Sequence, residues 1–398
     1  MGTNHPPATQ KIERGFCDSL YRSGGNPLGN LRAMHPLRIG IVGVGNISGI
    51  YLKNLGLYRS TTIVAVADLD LDRAKKVGAE NGSIPVMTPK ELIDSPEVDL
   101  VLNLTIPKAH ASVAIEAVRA GKHVYTEKPL AIEFCDAKEL LAEAKKNGVL
   151  VGGAPDTFMG AGIQTCRAII DSGAIGDPVA ANAFMLCRGH ETWHPSPEFY
   201  YESGGGPMFD MGPYYLTTLV NLIGPVHRVS GSTRITFPTR TITSQPKHGK
   251  VVQVETPTHI SGTMDFANGA VGHITTSFDV VGNPMPNIVI YGTEGTLIVP
   301  DPNGFGGTPM LKRLSDKEFQ PVTLTHGFGD NARGIGVLDM AYAICNARAP
   351  RASGDLATHV LEVMRSFEAS SQSEKHVHLS TTVDRPEALA PDAYAGEL

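Results

Sequence analysis

The stretch LRIGIVGVGNISG, residues 37–49, constrains the fold of this chain more than any other. Leu37 to Gly43 is a short apolar run ending in glycine, as a strand buried on both faces should be. Gly43, Gly45 and Ser48 follow at the spacing of a strand–turn–helix corner. Ile50, Leu52, Leu55 and Leu57 then recur at helical intervals. The first glycine permits a tight turn. The second lets backbone approach a diphosphate, whose charge a helix N-terminus favours. Ser48 stands where Gly or Ala is usual, and it is still small enough for close helix–strand packing.

The segment TIVAVA, residues 62–67, reads as a second buried strand, and it ends at Asp68. An acid about 20 residues beyond such a turn is placed to accept hydrogen bonds from the ribose of an adenine dinucleotide. It also repels a 2′-phosphate, so NAD is favoured over NADP; Arg73 nearby is the feature that suits NADP. Strand patterns at 99–104, 123–126 and 149–152 alternate with helical patterns at 91–93, 109–120 and 133–147. Such alternation implies a parallel sheet covered on both faces, with ligands bound past the strand C-termini. Thr105 and Pro107, and Glu127 and Lys128, then share the crevice edge with the glycine turn. The residues assigned to the cofactor are Gly43, Gly45, Asn46, Ile47, Ser48, Asp68, Thr105, Pro107, His110, Glu127 and Lys128.

After residue 156 the rhythm changes. A helix over 160–172 and a strand over 178–187 lead to the loop RGHETWHPSP, and a helix follows from Met208 to Ile223. Extended stretches at 226–237, 250–266, 270–281 and 287–299 come without helices between them, with Asn268-Gly269 as a hairpin turn. They predict a mostly antiparallel sheet. Helices over 333–346 and 355–371 close the domain. The domain reading is therefore a flexible N-terminal arm (1–34), a Rossmann NAD-binding domain (35–155), a second α/β domain (156–371) and a C-terminal tail (372–398). The fold class is α/β plus α+β. With 398 residues the chain has room for both domains, and a formal charge of −6 without a basic run argues against nucleic acid. No apolar run approaches a membrane span. Five scattered cysteines without a C-x-x-C pair fit reduced thiols and a cytoplasmic enzyme.

Residues 190–194, HETWH, match the H-E-x-x-H pattern of zinc proteases. That pattern needs a helix to bring both imidazoles to one metal. Gly189 before it, and Pro195 and Pro197 after it, argue for a loop, so no metal is expected.

The chain resembles the Gfo/Idh/MocA oxidoreductases over residues 37 to about 371. The markers are GVGNIS, the E-K-P tripeptide at 127–129 and the G-G-G-x-x-x-D-x-G stretch at 204–212. The resemblance implies a Rossmann domain joined to an open-faced, mostly antiparallel sheet domain. It implies NAD(P)-dependent oxidation or reduction of a sugar, sugar derivative or cyclitol hydroxyl, and a homodimer or homotetramer packed through the sheet. Lys128 corresponds to the family's active-site lysine and Asp210 to its aspartate. Tyr214 stands where a histidine is common, and is the candidate acid/base; Lys128 beside it is expected to lower its pKa. The segment before the glycine run overhangs the nicotinamide in this family. Arg188, His190, Trp193 and His194 therefore form the expected substrate wall, and one of the histidines is an alternative proton carrier. A second activity implied by the resemblance is an NAD-dependent glycosidase, which oxidises the sugar transiently, eliminates the aglycone, adds water and re-reduces the product.

Overall fold

The computed structural model describes residues 36–394; the arm expected at 1–34 lies outside them. Six strands form the first sheet: β1 (Leu37–Val42), β2 (Thr61–Ala67), β3 (Val86–Met87), β4 (Leu100–Asn103), β5 (His123–Thr126) and β6 (Val151–Gly153). All pair in parallel, in the order β3-β2-β1-β4-β5-β6. The connecting helices are α1 (Ser48–Leu55), α2 (Leu71–Glu80), α3 (Pro89–Asp94), α4 (Pro107–Arg119) and α5 (Phe134–Asn147). Strands β1 and β4 are almost wholly buried, which explains their unbroken apolar runs. The strand order reverses between β1 and β4, so a crevice opens past their C-terminal ends. Leu57 is no part of α1: the helix stops at Leu55 and leaves Leu57 66% exposed.

The second half contains α6 (Ala161–Asp171), β7 (Pro178–Leu186), α7 (Gly206–Leu222), β8 (Val226–Arg234), β9 (Thr239–Thr241), β10 (Val251–Gln253), β11 (His259–Phe266) and β12 (Val271–Ser277). Then come β13 (Ile288–Gly292), β14 (Gly295–Val299), β15 (Met310–Arg313), β16 (Gln320–Pro321), α8 (Ile335–Cys345), α9 (Gly354–Ser373) and β17 (Val377–His378). Nine strands form one sheet in the order β16-β15-β14-β13-β7-β12-β11-β8-β17, antiparallel except for β7 with β12. The Asn268-Gly269 turn joins β11 to β12, with Gly269 at φ +92°. Helices α6, α7 and α9 lie against this sheet, and α8 and α9 also pack on β6. One helical layer thus ties both sheets together.

Two extended stretches are divided. Residues 250–266 break into β10, which pairs only with β9, and β11; Pro257, lacking an amide hydrogen, lies in the gap. Residues 287–299 fold into the hairpin β13–β14, which turns at Thr293 and Glu294. Beyond α9 the chain adds β17 to the edge of β8 and runs back over α6, where the Leu389 amide donates to Gln164 Oε1 (2.9 Å).

Gly43 shows why the first corner needs glycine. It sits at φ +93°, and a Cβ there would lie 2.7 Å from the backbone carbonyl of Leu104. The corners after β1 and β4 therefore touch only because one lacks a side chain. Gly43→Ala should cost at least ~1–2 kcal/mol for the dihedral alone, before the clash, and should show as a lowered denaturation midpoint. An unchanged midpoint would mean that the corner relaxes freely.

Candidate active site

The crevice past β1 and β4 is built to receive an anion. Helix α1 has no side-chain cap and no acid in its first turn, so its first amides lack side-chain partners. Gly45 and Asn46 are exposed, and a Cβ on Gly45 would meet nothing within 4 Å. Ser48 is buried and its hydroxyl donates to the Gly45 carbonyl (2.7 Å), closing the turn; Ile47, at the N-cap, is half-buried against the core. Asp68 accepts from the Val44 amide (2.9 Å) through Oδ2, and from the Asp70 amide (2.8 Å) and Arg73 (3.0 Å) through Oδ1. It therefore lies beside the glycine turn. These residues fit a dinucleotide.

After β4, Thr105 donates through its hydroxyl to buried Asn103 Oδ1 (2.7 Å), and Pro107 starts α4. Between them Ile106 is 66% exposed at the crevice edge. His110 does not face this crevice. It is buried, with Nδ1 on the Pro129 carbonyl (2.7 Å) and Nε2 on the Thr105 carbonyl (3.0 Å). It packs between the β4 and β5 corners, and burial favours the neutral ring, whose single N–H donates to one of the two carbonyls. Glu127 is likewise committed: Oε1 accepts from Tyr51 (2.8 Å) and Oε2 from the Lys128 amide (2.9 Å). It anchors the turn that presents Lys128.

Lys128 reaches across to α7. Its Nζ donates to Asp210 Oδ1 (2.9 Å) and to the Asp210 carbonyl (2.6 Å). Asp210 Oδ2 meets His190 Nε2 at 2.9 Å. Burial works against both charges, but the pair outweighs it. Asp210 drops to about 2 under Lys128 and His190, and the Lys128 ammonium is raised above its ordinary value by Asp210. The glycine run threads α7 into place: a Cβ at Gly205 would lie 2.4 Å from the Phe199 carbonyl, and Gly204 and Gly206 have positive φ.

Tyr214 lies one turn on from Asp210, and Lys128 Nζ stands 5.3 Å from its ring centroid. The expected fall in its pKa does not occur. Burial raises the phenol, and Lys128 and Arg333 offset only part of that. Arg333 is a site residue that the sequence did not reveal. Its guanidinium reaches the Tyr214 phenol, stacks over Phe305 (5.8 Å) and is held by Asn303 Oδ1 (2.7 Å) and Asn331 Oδ1 (3.1 Å). It also lines an open cleft of about 470 Å³ with Asn303 and Asn331.

The HETWH segment forms a single turn, with the His194 amide on the His190 carbonyl (3.0 Å), before Pro195. Glu191 points into the protein. It pairs with Arg240 (2.9 Å) and accepts from Tyr201, while Arg240 also pairs with Asp279. Arg240 is thereby buried in ion pairs. Among the described residues no group of three or more His, Cys, Asp or Glu side chains is arranged to hold a metal. Trp193, 61% exposed, stands against both histidine rings; His194 Nδ1 accepts from the Ser196 amide (3.0 Å). Arg188 is exposed, and its guanidinium lies over Phe237 (5.6 Å) rather than on Asp210. The structure thus brings Lys128, Asp210, Tyr214 and His190 together, with Trp193 and His194 beside them.

A dinucleotide crevice opening onto a lysine–aspartate pair is the arrangement of a nucleotide-dependent oxidoreductase. Residues 37–153 match the oxidoreductase family with an NAD-binding Rossmann fold, and residues 163–298 match the GFO/IDH/MocA C-terminal domain. The chain belongs to the Gfo/Idh/MocA family. It is 26% identical over 266 residues to a myo-inositol 2-dehydrogenase of Thermotoga maritima, covering 66% of this chain and 74% of that one. It is 28% identical over 273 residues to a 1,5-anhydro-D-fructose reductase of Ensifer adhaerens, covering 66% and 75%. The crystal structure of an NAD-binding oxidoreductase from Klebsiella pneumoniae shares the fold, with a TM-score of 0.76 at 24% identity over 86% of this chain and 99% of that one.

The buried Glu191–Arg240–Asp279 cluster holds the loop that carries His190. Arg240→Met should cost about 3–5 kcal/mol in denaturant unfolding, because it leaves two buried carboxylates unpaired. A loss below 1 kcal/mol would show that water reaches them.

Proposed function

We propose that this protein is an NAD-dependent dehydrogenase or reductase acting on a carbinol carbon of a sugar, sugar derivative or cyclitol. The observation that carries the reading is the half-buried ammonium of Lys128, placed at the end of β5 beside the crevice and aligned by Asp210. The matched relatives, one named for a cyclitol and one for a sugar derivative, support the substrate class. Bound NAD would supply the hydride acceptor or donor, held by the amides of the glycine turn with Asp68 toward its ribose. Lys128 spends two of its three N–H donors on Asp210. The third is left for the substrate oxygen, where it stabilises developing alkoxide charge. Asp210 keeps the lysine charged and aimed. Tyr214, kept as a phenol by burial, donates a proton to that oxygen in reduction and, as phenolate, accepts one in oxidation.

The test is incubation with NAD and a panel of sugars, cyclitols and aryl glycosides. Stoichiometric NADH is expected. Aglycone release without net NADH would replace the reading with the glycosidase one. Lys128→Ala should lower kcat/KM by about 10²–10³-fold and leave NAD binding largely intact; an active variant would remove Lys128 from the chemistry.

The raised phenol pKa sets the sign of the pH dependence. Oxidation needs the deprotonated phenol, so kcat/KM for oxidation should still be rising at pH 10. Reduction needs the protonated form and should stay level through the same range. A plateau in oxidation below pH 8 would assign the proton to another group. Asp68 should make NADP the poorer cofactor, and Asp68→Ala should narrow the gap, with Arg73 free to meet a 2′-phosphate. Equal kcat/KM with both cofactors in the wild type would contradict this.

A further inference from the structure

Trp193 is an exposed side chain whose polar atom is nevertheless committed. Its indole Nε1 donates to His190 Nδ1 at 3.2 Å. An indole nitrogen can only donate, so Nδ1 has to offer a lone pair. The one proton of neutral His190 then sits on Nε2, 2.9 Å from Asp210 Oδ2. Neighbouring rings hold the imidazole in this orientation: Tyr200 meets it edge-on with centroids 4.4 Å apart, and Phe278 lies tilted against it at 4.6 Å.

We infer that Trp193 is a positioning residue that sets the tautomer of His190, making this histidine a standing hydrogen-bond donor to Asp210 and not the carrier of the substrate proton. The inference rests on the assignment of Lys128 and Asp210 as the reactive centre. Its physical content is a chain of donors running from Trp193 through His190 to Asp210. Moving the His190 proton to Nδ1 would set N–H against N–H at Trp193 and a bare nitrogen against a carboxylate at Asp210. Both contacts fail together, so neither tautomer exchange nor proton capture at Nδ1 proceeds while the indole is in place. With Oδ2 fixed by His190, Asp210 cannot rotate, and Oδ1 stays on Lys128. The free ammonium hydrogen keeps its aim.

Two other roles fit these side chains: an apolar substrate wall for Trp193 and a proton carrier for His190. Three variants separate them from the inference. Trp193→Phe keeps an apolar ring, smaller than the indole, at an exposed position and removes the N–H. It should lower kcat about 3–10-fold with KM little changed; a stacking role alone would raise KM through the smaller ring and leave kcat intact. His190→Gln retains a terminal N–H that can reach Asp210, and should stay within about tenfold of wild type. His190→Ala, with no donor, should fall by about 10²-fold or more. If His190 carries the proton, glutamine falls as far as alanine, and the inference is overturned.

A second readout does not depend on turnover. Long-range ¹H–¹⁵N correlation of the full-length, NAD-loaded protein, with His190 assigned by its loss in His190→Gln, reports the tautomer directly. Wild type should show a protonated Nε2 and a bare Nδ1, and Trp193→Phe should show Nδ1 gaining a proton. A wild-type Nδ1–H form, or no change in Trp193→Phe, overturns the inference even if the enzyme is active. The expected tautomers in a protein that reduces no NAD would uphold it while sinking the functional reading.

Discussion

The ion pair between Lys128 and Asp210 joins the two halves of this molecule at the point where chemistry is possible. One partner stands on the turn after β5 of the parallel sheet, the other on α7 beneath the antiparallel sheet. Taking either charge out of water alone would be costly, so each half is incomplete without the other. The surroundings deepen that dependence. Glu127, clamped by Tyr51, aims the lysine turn, and His190 closes the remaining carboxylate oxygen. The carbonyl of Asp210 also accepts from Lys128, so even the helix backbone is recruited.

The same letters do different work in different backbones. His190 and Glu191 belong to a pattern that on a helix would hold zinc. Here the turn ends at Pro195, Glu191 faces inward to Arg240, and His190 faces Asp210. Sequence neighbours thus point to opposite sides of the loop. One anchors the loop in the protein, and the other serves the site.

The crevice was legible in the sequence because its constraints are local. Gly43 is needed by a positive φ and a touching backbone, and Asp68 ends a strand one pairing away. Lys128 and Asp210 were each legible through the resemblance, since its markers lie in short motifs, but their ion pair was not. What stayed hidden depends on long-range packing. Arg333 belongs to the loop before α8, and nothing near it in sequence marks it as a neighbour of Tyr214. Arg240 carries no mark in the sequence of its buried partners Glu191 and Asp279, which lie 49 and 39 residues away. His110, assigned to the cofactor, proved to lie buried between two backbone carbonyls. For Tyr214 the sequence showed the nearby cation but not the burial, and burial is the stronger effect. The Trp193–His190 contact falls between these cases: the residues are three apart, yet only the ring orientations show that the indole donates inward.

The central claim is that the Lys128 ammonium marks where the hydride moves. A crystal structure of the full chain with NAD and a substrate hydroxyl ligand tests it most directly. The account predicts the diphosphate on the amides of residues 45–48, the nicotinamide C4 about 3–3.5 Å from a carbinol carbon, and that carbon's oxygen within hydrogen-bond reach of Lys128 Nζ. A nicotinamide ring lying away from Lys128, or a substrate oxygen held by other side chains with Lys128 still closed on Asp210, would contradict it.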